Sequence, residues 1–295
     1  MLIIWRYKRK IDDRKRIIEN NFRLNLIYNK YKMLSLNMFR WEGLPETIES
    51  RHIENSLFNY GLCLIVNDKD LGFLSVPCNY GANMNVNSVP TEVITCGFNY
   101  IKTFKYLGKD KDKCQLILNN DLAIGNENYI FDYAERMFEV ENCIRVNINQ
   151  QKFPWFVNTT PNNKKTMETM FQKVLNGEPY ILGSKDQIGN VEVLTLNTPY
   201  IADKLNEYKY ELEREVLSFH GLNNNFEKKE RLLVDEVNSN NDFIDRNVEL
   251  MYRQRKLACE QMNKKFGWNV KVVNLNEEAK ENQKLELEKE EQDNE

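Results

Sequence analysis

The residue types that could carry out chemistry in this sequence stand alone rather than in catalytic patterns. Gly108-Lys109 is the nearest approach to a phosphate-binding loop, but no glycine stands at the required upstream distance, and Asp110 replaces the Ser or Thr that would hold magnesium. Because Gly-Lys pairs are common in turns, we interpret this segment as a solvated turn. His220 is predicted at a helix C-terminus, where an interaction with the last carbonyl groups is a simpler role than general base. The sequence predicts no catalytic residue.

The spacing of cysteines, histidines and carboxylates predicts no metal site. The six cysteines contain no C-x-x-C pair, and neither histidine is close enough in sequence to complete a zinc site. We therefore expect reduced, mostly buried thiols, as in a protein made in a cytoplasm, and no cofactor. A two-metal nuclease site built from scattered acids stays open, because such sites assemble in space and not along the sequence.

Composition narrows the class of protein without identifying a partner. The chain has 295 residues, of which 41% are hydrophobic and 11% aromatic, enough to bury a core. The 41 basic and 44 acidic residues give a net charge of -3, so the overall charge favours no class of ligand. The longest apolar run, Leu62–Val66, is far too short to span a bilayer, and the N-terminus places apolar before basic residues, the reverse of a secretory signal. We expect no membrane contact and no export.

Charge is concentrated at the two ends of the chain. Residues 1–16 hold seven basic and two acidic residues, and residues 277–295 hold nine acidic and three basic residues. Such segments bury too little apolar surface to offset the entropy of ordering, so we expect a basic arm and an acidic tail. The arm either contacts nucleic acid or another anionic partner or serves only for solubility. Its candidate contact residues are Arg6, Lys8, Arg9 and Lys10.

The part of the chain up to residue 125 mixes helices and strands. Apolar residues at three-to-four-residue spacing predict one long amphipathic helix from Ile17 to Trp41, stopped by Gly43 and Pro45. A second helix is predicted from Ile48 to Tyr60, closed by Gly61. Four short runs bounded by turn residues are predicted strands: Leu62–Val66, Gly72–Val76, Glu92–Cys96 and Cys114–Leu118. This arrangement predicts an α+β fold.

Two long helices bracket a small α/β unit in the next part of the chain. The first is predicted over residues 126–148 and the second over residues 198–221, with Thr198 as N-cap, Pro199 as first helical residue and Gly221 at the end. At about 20 residues, each would be roughly 30 Å long. The unit between them, residues 149–197, is predicted to hold strands at 153–158, 180–182 and 191–196 and a helix at 164–175. A polar loop over residues 222–241 follows, and then a helix and a short strand over residues 242–276.

Amphipathic helices held roughly 30 Å from the first region need partners for their apolar faces. Identical chains around an axis would supply them, because a head-to-tail interface whose rotation closes makes a ring. Segments spread over residues 41–273 also resemble one protein family, the upper-collar connector, or portal, proteins of small short-tailed phages with protein-primed linear genomes. These segments are Gly43–Ile48, Asn119–Ala123, Pro199–Asn206, Leu222–Arg231, Asp235–Asn240 and Phe266–Val272.

This resemblance implies a portal-type fold and a homo-dodecamer at one vertex of the capsid, assembled in the host cytoplasm and kept in the virion at the head-tail junction. It implies a channel for the packaging and ejection of double-stranded DNA. The implied partners are a packaging ATPase, major capsid and scaffolding proteins, and lower-collar or tail proteins. No enzymatic activity is implied, because a separate ATPase drives translocation. In family terms, the wing would be residues 17–125, the stem 126–148 and 198–221, the clip 149–197, the channel loop 222–241 and a crown-side helix and strand 242–276.

The two predicted stem helices are acidic. The first carries five acids and two cations, and the second five acids and three cations. An acidic wall leaves DNA free to slide, because it neutralises few phosphates and releases few counterions. Lys204 matches a lysine that lines the channel in the resembled family, whereas the other family lysine falls at Thr195. The alternative for Lys204 is an i,i+3 pair with Glu207 on a solvated helix face.

In the predicted channel loop, Lys228, Lys229 and Arg231 either touch DNA phosphates or are ordinary loop charges balanced by neighbouring acids. The residues expected to make the loop hydrated and mobile are Asn225, Asp235, Glu236, Asn238 and Asn240. Two other functions stay open beside the portal. One is a metal-dependent DNA-processing enzyme, and the other is a helical adaptor protein that binds partners through its long helices.

Overall fold

A computed structural model describes residues 21–152, 155–158, 192–195, 199–222, 234–275 and 277–278, with backbone alone for residues 150, 152, 155–158, 192–195 and 234–246. The chain divides into two compact units, one of Met1–Phe138 with Tyr210–Glu295 and one of Glu139–Lys209. Several predicted features lie outside the described residues: the basic arm 1–16, the N-cap Thr198, the helix 164–175, the strand 180–182 and the acidic tail after residue 278.

Helices and strands are mixed along the chain, as the α+β prediction requires. The helices are α1 (described over residues 21–36), α2 (Ser50–Tyr60), α3 (Glu127–Lys152), α4 (Ala202–Phe219) and α5 (Val234–Phe266). The strands are β1 (Phe39–Glu42), β2 (Leu62–Asp68), β3 (Gly72–Tyr80), β4 (Val93–Thr95), β5 (Thr103–Phe104), β6 (Cys114–Leu118), β7 (Trp155–Asn158), β8 (Glu192–Thr195) and β9 (Lys271–Asn274).

The largest sheet has five antiparallel strands in the order β5-β4-β3-β2-β6. Strand β2 is buried on both faces. Cys63 and Ile65 join a core shared with α2 and α5, whereas Leu64 and Val66 join a second core on the other face of the sheet. An unbroken apolar run is what a strand covered on both sides requires. The predicted hairpin is confirmed, because β2 and β3 pair in register from Cys63 to Asp68.

The glycine stops predicted after α2, α4 and α5 are confirmed, since Gly61, Gly221 and Gly267 all have positive φ. At Gly61 a close approach adds a second requirement, because a Cβ there would lie 2.2 Å from the carbonyl oxygen of Ala123. The four strands predicted before residue 125 are present as β2, β3, β4 and β6, and β1 and β5 are additions.

The chain after α5 folds back along that helix. The Asn263 side chain accepts the Val270 N–H at 2.7 Å and donates to the Val270 carbonyl at 2.9 Å, which fixes the turn around Gly267. Strand β9 then pairs antiparallel with β1, with Trp41 opposite Val272. The start and the end of the described chain therefore share one small sheet next to α5.

A buried ion pair joins α5 to α2. Arg255 Nη2 lies 2.7 Å from Glu54 Oε2 and Arg255 Nε lies 2.9 Å from Glu54 Oε1, with both side chains 3% exposed. The guanidinium also donates to the carbonyls of Asn119 and Met251, and the Trp41 indole donates to Glu54 at 2.8 Å. Each buried charge is thus both paired and hydrogen-bonded, which is the condition for tolerating it in a core.

The helix predicted from Ile17 to Trp41 is wrong at its C-terminal end. α1 ends at residue 36, where the Asn37 side chain donates to the Met33 carbonyl at 2.7 Å. Residues 39–42 form β1, in which Phe39 and Trp41 are buried and the alternate residues exposed. Trp41 keeps helical spacing in the sequence, but pairing with β9 at the other end of the chain decides its conformation.

The borders of the two predicted stem helices also differ from prediction. α4 begins at Ala202, so Pro199 is not its first residue. The Asn147 side chain accepts the Ile201 N–H at 3.1 Å and donates to the Pro199 carbonyl at 2.9 Å, which ties this segment to α3 before α4 starts. α3 itself continues to Lys152, past the predicted end at residue 148.

Helix α5 begins at Val234, so the loop predicted over residues 222–241 is helical in its last part. Asp235, Glu236, Asn238 and Asn240 are therefore helical residues and not loop residues. Asparagine is a weak helix former, but it costs only about 0.7 kcal/mol per residue relative to alanine, and the segment contains neither Gly nor Pro. Extending a helix that already exists avoids the cost of nucleation, which explains the longer α5.

Replacing Arg255 with Met should lower the free energy of unfolding by about 3–5 kcal/mol, because it leaves the Glu54 carboxylate buried without its partner. The double variant R255M/E54Q should regain part of this loss, since Gln still accepts from Trp41 and carries no charge. Urea unfolding at one protein concentration measures both. The control is Arg253→Met, which breaks an exposed pair with Asp121 and should cost about 1 kcal/mol or less. Equal losses for R255M and R253M would contradict the role given to the buried pair.

Candidate nucleic-acid interface

Helices α3 and α4 pair antiparallel within each compact unit. At successive contacts the residue number increases along α3 and decreases along α4, so the two helices run in opposite directions. These contacts are Tyr129–Phe219 and Arg136–Glu215 in the first unit, and Glu141–Lys209 and Asn147–Ile201 in the second. Apolar side chains of both helices are buried: Ile130, Tyr133, Ala134, Met137, Val140, Ala202, Leu212 and Val216.

The remaining faces of both helices are acidic, as the sequence predicts. The acids that are exposed or partly exposed are Glu127, Asp132, Glu135, Glu139 and Glu141 on α3 and Asp203, Glu207, Glu211, Glu213 and Glu215 on α4. Some have partners: the ion pairs are Lys30–Glu213 at 2.7 Å, Lys209–Glu141 at 2.6 Å, Arg136–Glu215 at 3.5 Å and Arg136–Asp132 at 3.9 Å. Within the described chain, Glu135, Glu139, Glu207 and Glu211 have no ion-pair partner. These carboxylates would repel DNA phosphates.

A tyrosine of α1 also contacts this acidic surface. Tyr28 OH donates to Glu127 Oε1 at 3.3 Å, and burial, together with the Glu127 charge, raises the pKa of Tyr28 to about 12. The phenol therefore stays protonated and remains a hydrogen-bond donor at neutral pH. Lys30 and Tyr31 of α1 reach Glu213 of α4 in the same way. Helix α1 thus ties α3 and α4 together within the first unit.

Three cations of these helices have no carboxylate partner in the described chain. Arg145 donates to Asn142 Oδ1 and Arg214 to the Tyr210 carbonyl. Lys204 is exposed and has neither an ion pair nor a hydrogen bond to the described residues, so the alternative pairing with Glu207 is absent there. Its ammonium group is available to a phosphate. Thr195, the position of the other family lysine, lies in β8.

The end of α4, from which the predicted channel loop starts, contacts two other helices. The Leu222 N–H donates to the Leu217 carbonyl at 2.9 Å around Gly221, which closes the last turn of the helix. The side chain of Asn247 in α5 donates to the Phe219 carbonyl at 3.1 Å, and Phe219 stacks on Tyr129 of α3. Three helices therefore fix the point at which residue 223 follows.

His220 connects this point to α1. Its Nδ1 lies 2.7 Å from the Val216 carbonyl, which can only accept, so Nδ1 carries the proton and Nε2 accepts from the Ser35 hydroxyl at 2.6 Å. Burial lowers the pKa of His220 below its ordinary value of 6.5, so the ring is neutral at pH 7. The predicted contact with a last-turn carbonyl is present, and the bond to Ser35 is an addition. We call His220, Ser35 and Asn247 the loop base.

The structure brings together only part of the predicted contact set. Lys204 is on the surface of α4, but Asn225, Lys228, Lys229, Arg231 and the arm residues Arg6, Lys8, Arg9 and Lys10 lie outside the described residues. Asp235, Glu236, Asn238 and Asn240 belong to α5, where the backbone alone is described. The loop base was missed, although a histidine directly before a predicted loop was a signal for it. Ser35 and Asn247 carry no such signal in the sequence.

The described residues hold no group of three or more His, Cys, Asp or Glu side chains placed to bind a metal ion. None of the described helices is long and apolar enough to cross a membrane. All six cysteines are free thiols, and four of them are buried, in agreement with the prediction of mostly buried thiols: Cys63, Cys78, Cys114 and Cys259.

Comparison with known proteins gives one family. The family model described as Phage Connector (GP10) matches residues 5–279. Among solved structures, the chain is similar to one in the portal and tail of native bacteriophage P68, at 15% identity over 89% of each chain and a TM-score of 0.44. It is similar to an HK97 family phage portal protein from Corynebacterium diphtheriae, at 12% identity over 84% of this chain and 92% of that one, with a TM-score of 0.48. A chain of a native gene transfer agent virion matches at 10% identity over 85% of this chain and 78% of that one, with a TM-score of 0.38.

Acid should weaken the loop base through His220. The unfolded chain binds a proton near pH 6.5 and the folded chain only at lower pH, so the contribution of neutral His220 is complete above pH 6.5 and is lost as the pH falls below it. The urea midpoint should therefore fall between pH 7.5 and pH 5.5 by more in the wild type than in His220→Gln (the two pH values are about one unit either side of the free histidine pKa). The matched control is His52→Gln, an exposed histidine, which should keep the wild-type slope. The same pH slope in H220Q as in the wild type would refute this role.

Proposed function

We propose, on the premise that this chain belongs to the phage connector family, that twelve copies form a ring at one vertex of a capsid and conduct double-stranded DNA through its centre. The chain is a portal or connector protein and a component of the virion. The copy number, the vertex and the passage of DNA inward during packaging and outward during ejection are the proposal. The observation that carries it is the family match over residues 5–279, which covers the whole of the second compact unit and most of the first.

The charges of α3 and α4 support a conduit that does not grip DNA. A protein that holds DNA tightly neutralises many phosphates and releases their counterions. Here Glu135, Glu139, Glu207 and Glu211 have no ion-pair partner within the described part of the chain. We propose that these helices form the stem and that their acids keep phosphate contacts weak and independent of sequence. Nothing in the described residues favours the alternative of a metal-dependent enzyme or of a helical adaptor.

Lys204 is the proposed exception on this acidic surface. Its ammonium group is exposed and unpaired among the described residues, so twelve copies in a ring would present a circle of point charges to a duplex. A lysine is a compact charge without the planar fork of arginine, and it can exchange between successive phosphates without a fixed geometry. A single circle of lysines would therefore steady the DNA and still let it move.

The proposed channel loop is shorter than the sequence predicts. Only residues 223–233 lie between Leu222 and the start of α5 at Val234. A segment of 11 residues anchored at both ends can reach at most about 18 Å from its base. Lys228, Lys229 and Arg231 are the cations proposed to touch phosphates there. Asn225 is the remaining loop residue of the predicted set, while Asp235, Glu236, Asn238 and Asn240 would border the loop from α5.

The proposed partners follow from a portal role. A packaging ATPase would supply the energy for DNA movement, so the ring itself needs no catalytic residue and no cofactor. Major capsid and scaffolding proteins would surround the ring during assembly in the host cytoplasm, and lower-collar or tail proteins would replace the motor afterwards. We propose that residues 149–197 form the clip that meets motor and tail, and that the basic arm binds an anionic packaging component such as DNA or RNA.

The purified protein should form rings. Negative-stain images should show particles with a central opening, and native mass measurement should give about twelve times the 35.1 kDa of one chain. A protein that remains monomeric at every concentration would overturn the portal ring. Rings of another copy number would leave the portal function intact and correct the proposed dodecamer.

Deleting residues 225–232, which leaves α5 whole, should keep the rings but let packaged DNA slip back out. Nuclease protection of DNA in filled capsids measures the retention. The variant K228A/K229A/R231A keeps the loop length, so it separates the effect of the loop charges on DNA retention from the effect of the loop's size. Loss of rings on deletion would mean that the loop is a structural interface instead. In the same assay Lys204→Ala should alter retention, whereas Lys209→Ala, whose ammonium group is already bound to Glu141, should not.

A further inference from the structure

One surface of the first compact unit carries almost no charge. Residues 79–101, which we call the uncharged rim, contain a single acidic or basic residue, Glu92, and it is buried at 8% exposure. The whole chain has 29% charged residues, so a stretch of this length without exposed charge is unusual for it. Large apolar side chains are exposed instead, with Phe98 at 96% and Ile101 at 76%. The others are Tyr80, Met84, Val86, Val89 and Ile94.

Two turns hold these side chains away from the core. In the first, the Asn85 side chain accepts from two backbone N–H groups of its own turn, with Val86 at the tip. In the second, Tyr100 OH donates to Asp68 at 2.7 Å and Lys102 donates to the same carboxylate at 2.8 Å. The Lys102 and Tyr100 contacts hold the pKa of Asp68 well below its usual range, so this anchor stays ionised at neutral pH. The rim is therefore presented by fixed turns.

The composition of the rim is that of a permanent interface. Transient interfaces are about as polar as the rest of a protein surface, whereas the cores of permanent homo-oligomeric interfaces are more apolar and depleted of charge, with Phe and Met enriched. Exposed apolar patches of this kind mark contact sites or lead to aggregation. A second copy of the same chain is present from synthesis onward, so it is the partner that can cover such a surface permanently.

We infer that the uncharged rim of one subunit docks on the next subunit at a leucine patch formed by Leu122, Ile124, Leu250 and Leu257. This inference rests on the ring proposed above. Leu122 is 77% exposed and Ile124 57% exposed. Asp121, directly before them, accepts from Arg253 and Gln254 of α5. Leu250 and Leu257 lie about one helical turn before and after those residues, so both lie on the side of α5 that Asp121 contacts.

Charge selects this patch among the exposed apolar surfaces of the described chain. The exposed side of α1, with Phe22, Leu26 and Met33, belongs to a segment with three basic and no acidic residues over 21–36. Exposed aromatic residues of α3 and α4 stand among unpaired carboxylates. Burying such charges against the rim would leave them without water or a partner. In the leucine patch the Asp121 charge is already paired, and the exposed Glu249, Lys256 and Glu260 would form a polar border.

The two surfaces are also distinct from each other, as a ring requires. A ring with head-to-tail contacts needs two different patches on each subunit, one for each neighbour, whereas a two-fold dimer uses one patch twice. The rim comes from the β3–β4–β5 side of the large sheet, and the leucine patch comes from α5 and the segment after β6. They share no residue, so one chain can present both at the same time.

The double variant F98S/I101S tests the rim. The variant loses two large apolar side chains at every subunit contact. The protein concentration below which rings dissociate should therefore rise by about tenfold or more. The matched control is Leu71→Ser, an exposed leucine of the β2–β3 turn outside both surfaces, which should leave the rings unchanged. Thermal unfolding of each variant at low concentration checks that the subunit still folds.

The outcomes separate this inference from the portal function. If the wild type forms rings and F98S/I101S forms them equally well, the rim is not the subunit contact and the inference fails alone. If F98S/I101S forms normal rings that no longer enter capsids, the rim contacts the shell proteins instead, and this inference is also overturned. A wild type that never forms rings would overturn the ring and this inference together.

Cross-linking tests the pairing directly. The background would be C96S/C143S, because Cys96 and Cys143 are the exposed native thiols. In that background, a flexible bis-maleimide should link rings of the double variant F98C/L122C into a ladder of covalent oligomers. In rings mixed from the two single variants, the same reagent should give only dimers. A ladder that fails to form in intact rings, or dimers formed by F98C alone, would refute the docking of rim on leucine patch.

Discussion

The ion pair between Arg255 and Glu54 is the contact on which the described structure depends most. It fastens α5 to α2 inside the core, and the Phe39 ring of β1 lies 4.3 Å from the guanidinium carbon. An unpaired charge at this depth would be strongly destabilising, so α5 has one acceptable register against α2. Asn247 lies about two turns before Arg255 on the same helix. The register set by the ion pair therefore also fixes where Asn247 meets the end of α4, and with it the base of the proposed channel loop.

The presence of such a buried pair is better explained by its effect on the register of α5 than by a gain in stability. Well-packed apolar residues of similar volume often stabilise a core as much as a buried ion pair does, whereas apolar contacts along a helix tolerate small slips. In the proposed ring this difference matters. A slip of α5 in one subunit would displace its loop relative to the other eleven, and the DNA would meet an uneven circle of contacts. A single register for α5 makes every loop start at an equivalent point.

The sequence predicts the elements whose signals are local and misses those set at a distance. Gly61 and Gly267 end helices by their own backbone freedom, so the ends of α2 and α5 follow from the sequence. The α1–β1 border does not, because Trp41 fits a helix by spacing and is a strand residue only through pairing with β9. Pro199 fits a first helical residue by sequence, but Asn147 of α3 binds the Pro199 carbonyl and the Ile201 N–H, and α4 starts only at Ala202. The Arg255–Glu54 pair has no signal at all in the sequence.

The same distinction applies to the charges of the candidate site. Counting residues gives an acidic α3 and α4, but the count does not say which cations remain free. Lys209 and Arg136 are used by neighbouring acids, while Lys204 has no partner among the described residues. It is therefore pairing, and not total charge, that separates a cation able to meet phosphate from one that only holds two helices together. The uncharged rim shows the converse, because its single carboxylate, Glu92, is buried and the exposed surface is left to Phe98 and its apolar neighbours. A chain with nearly balanced overall charge thus presents an acidic surface and an uncharged one, each of which fits the role proposed for it.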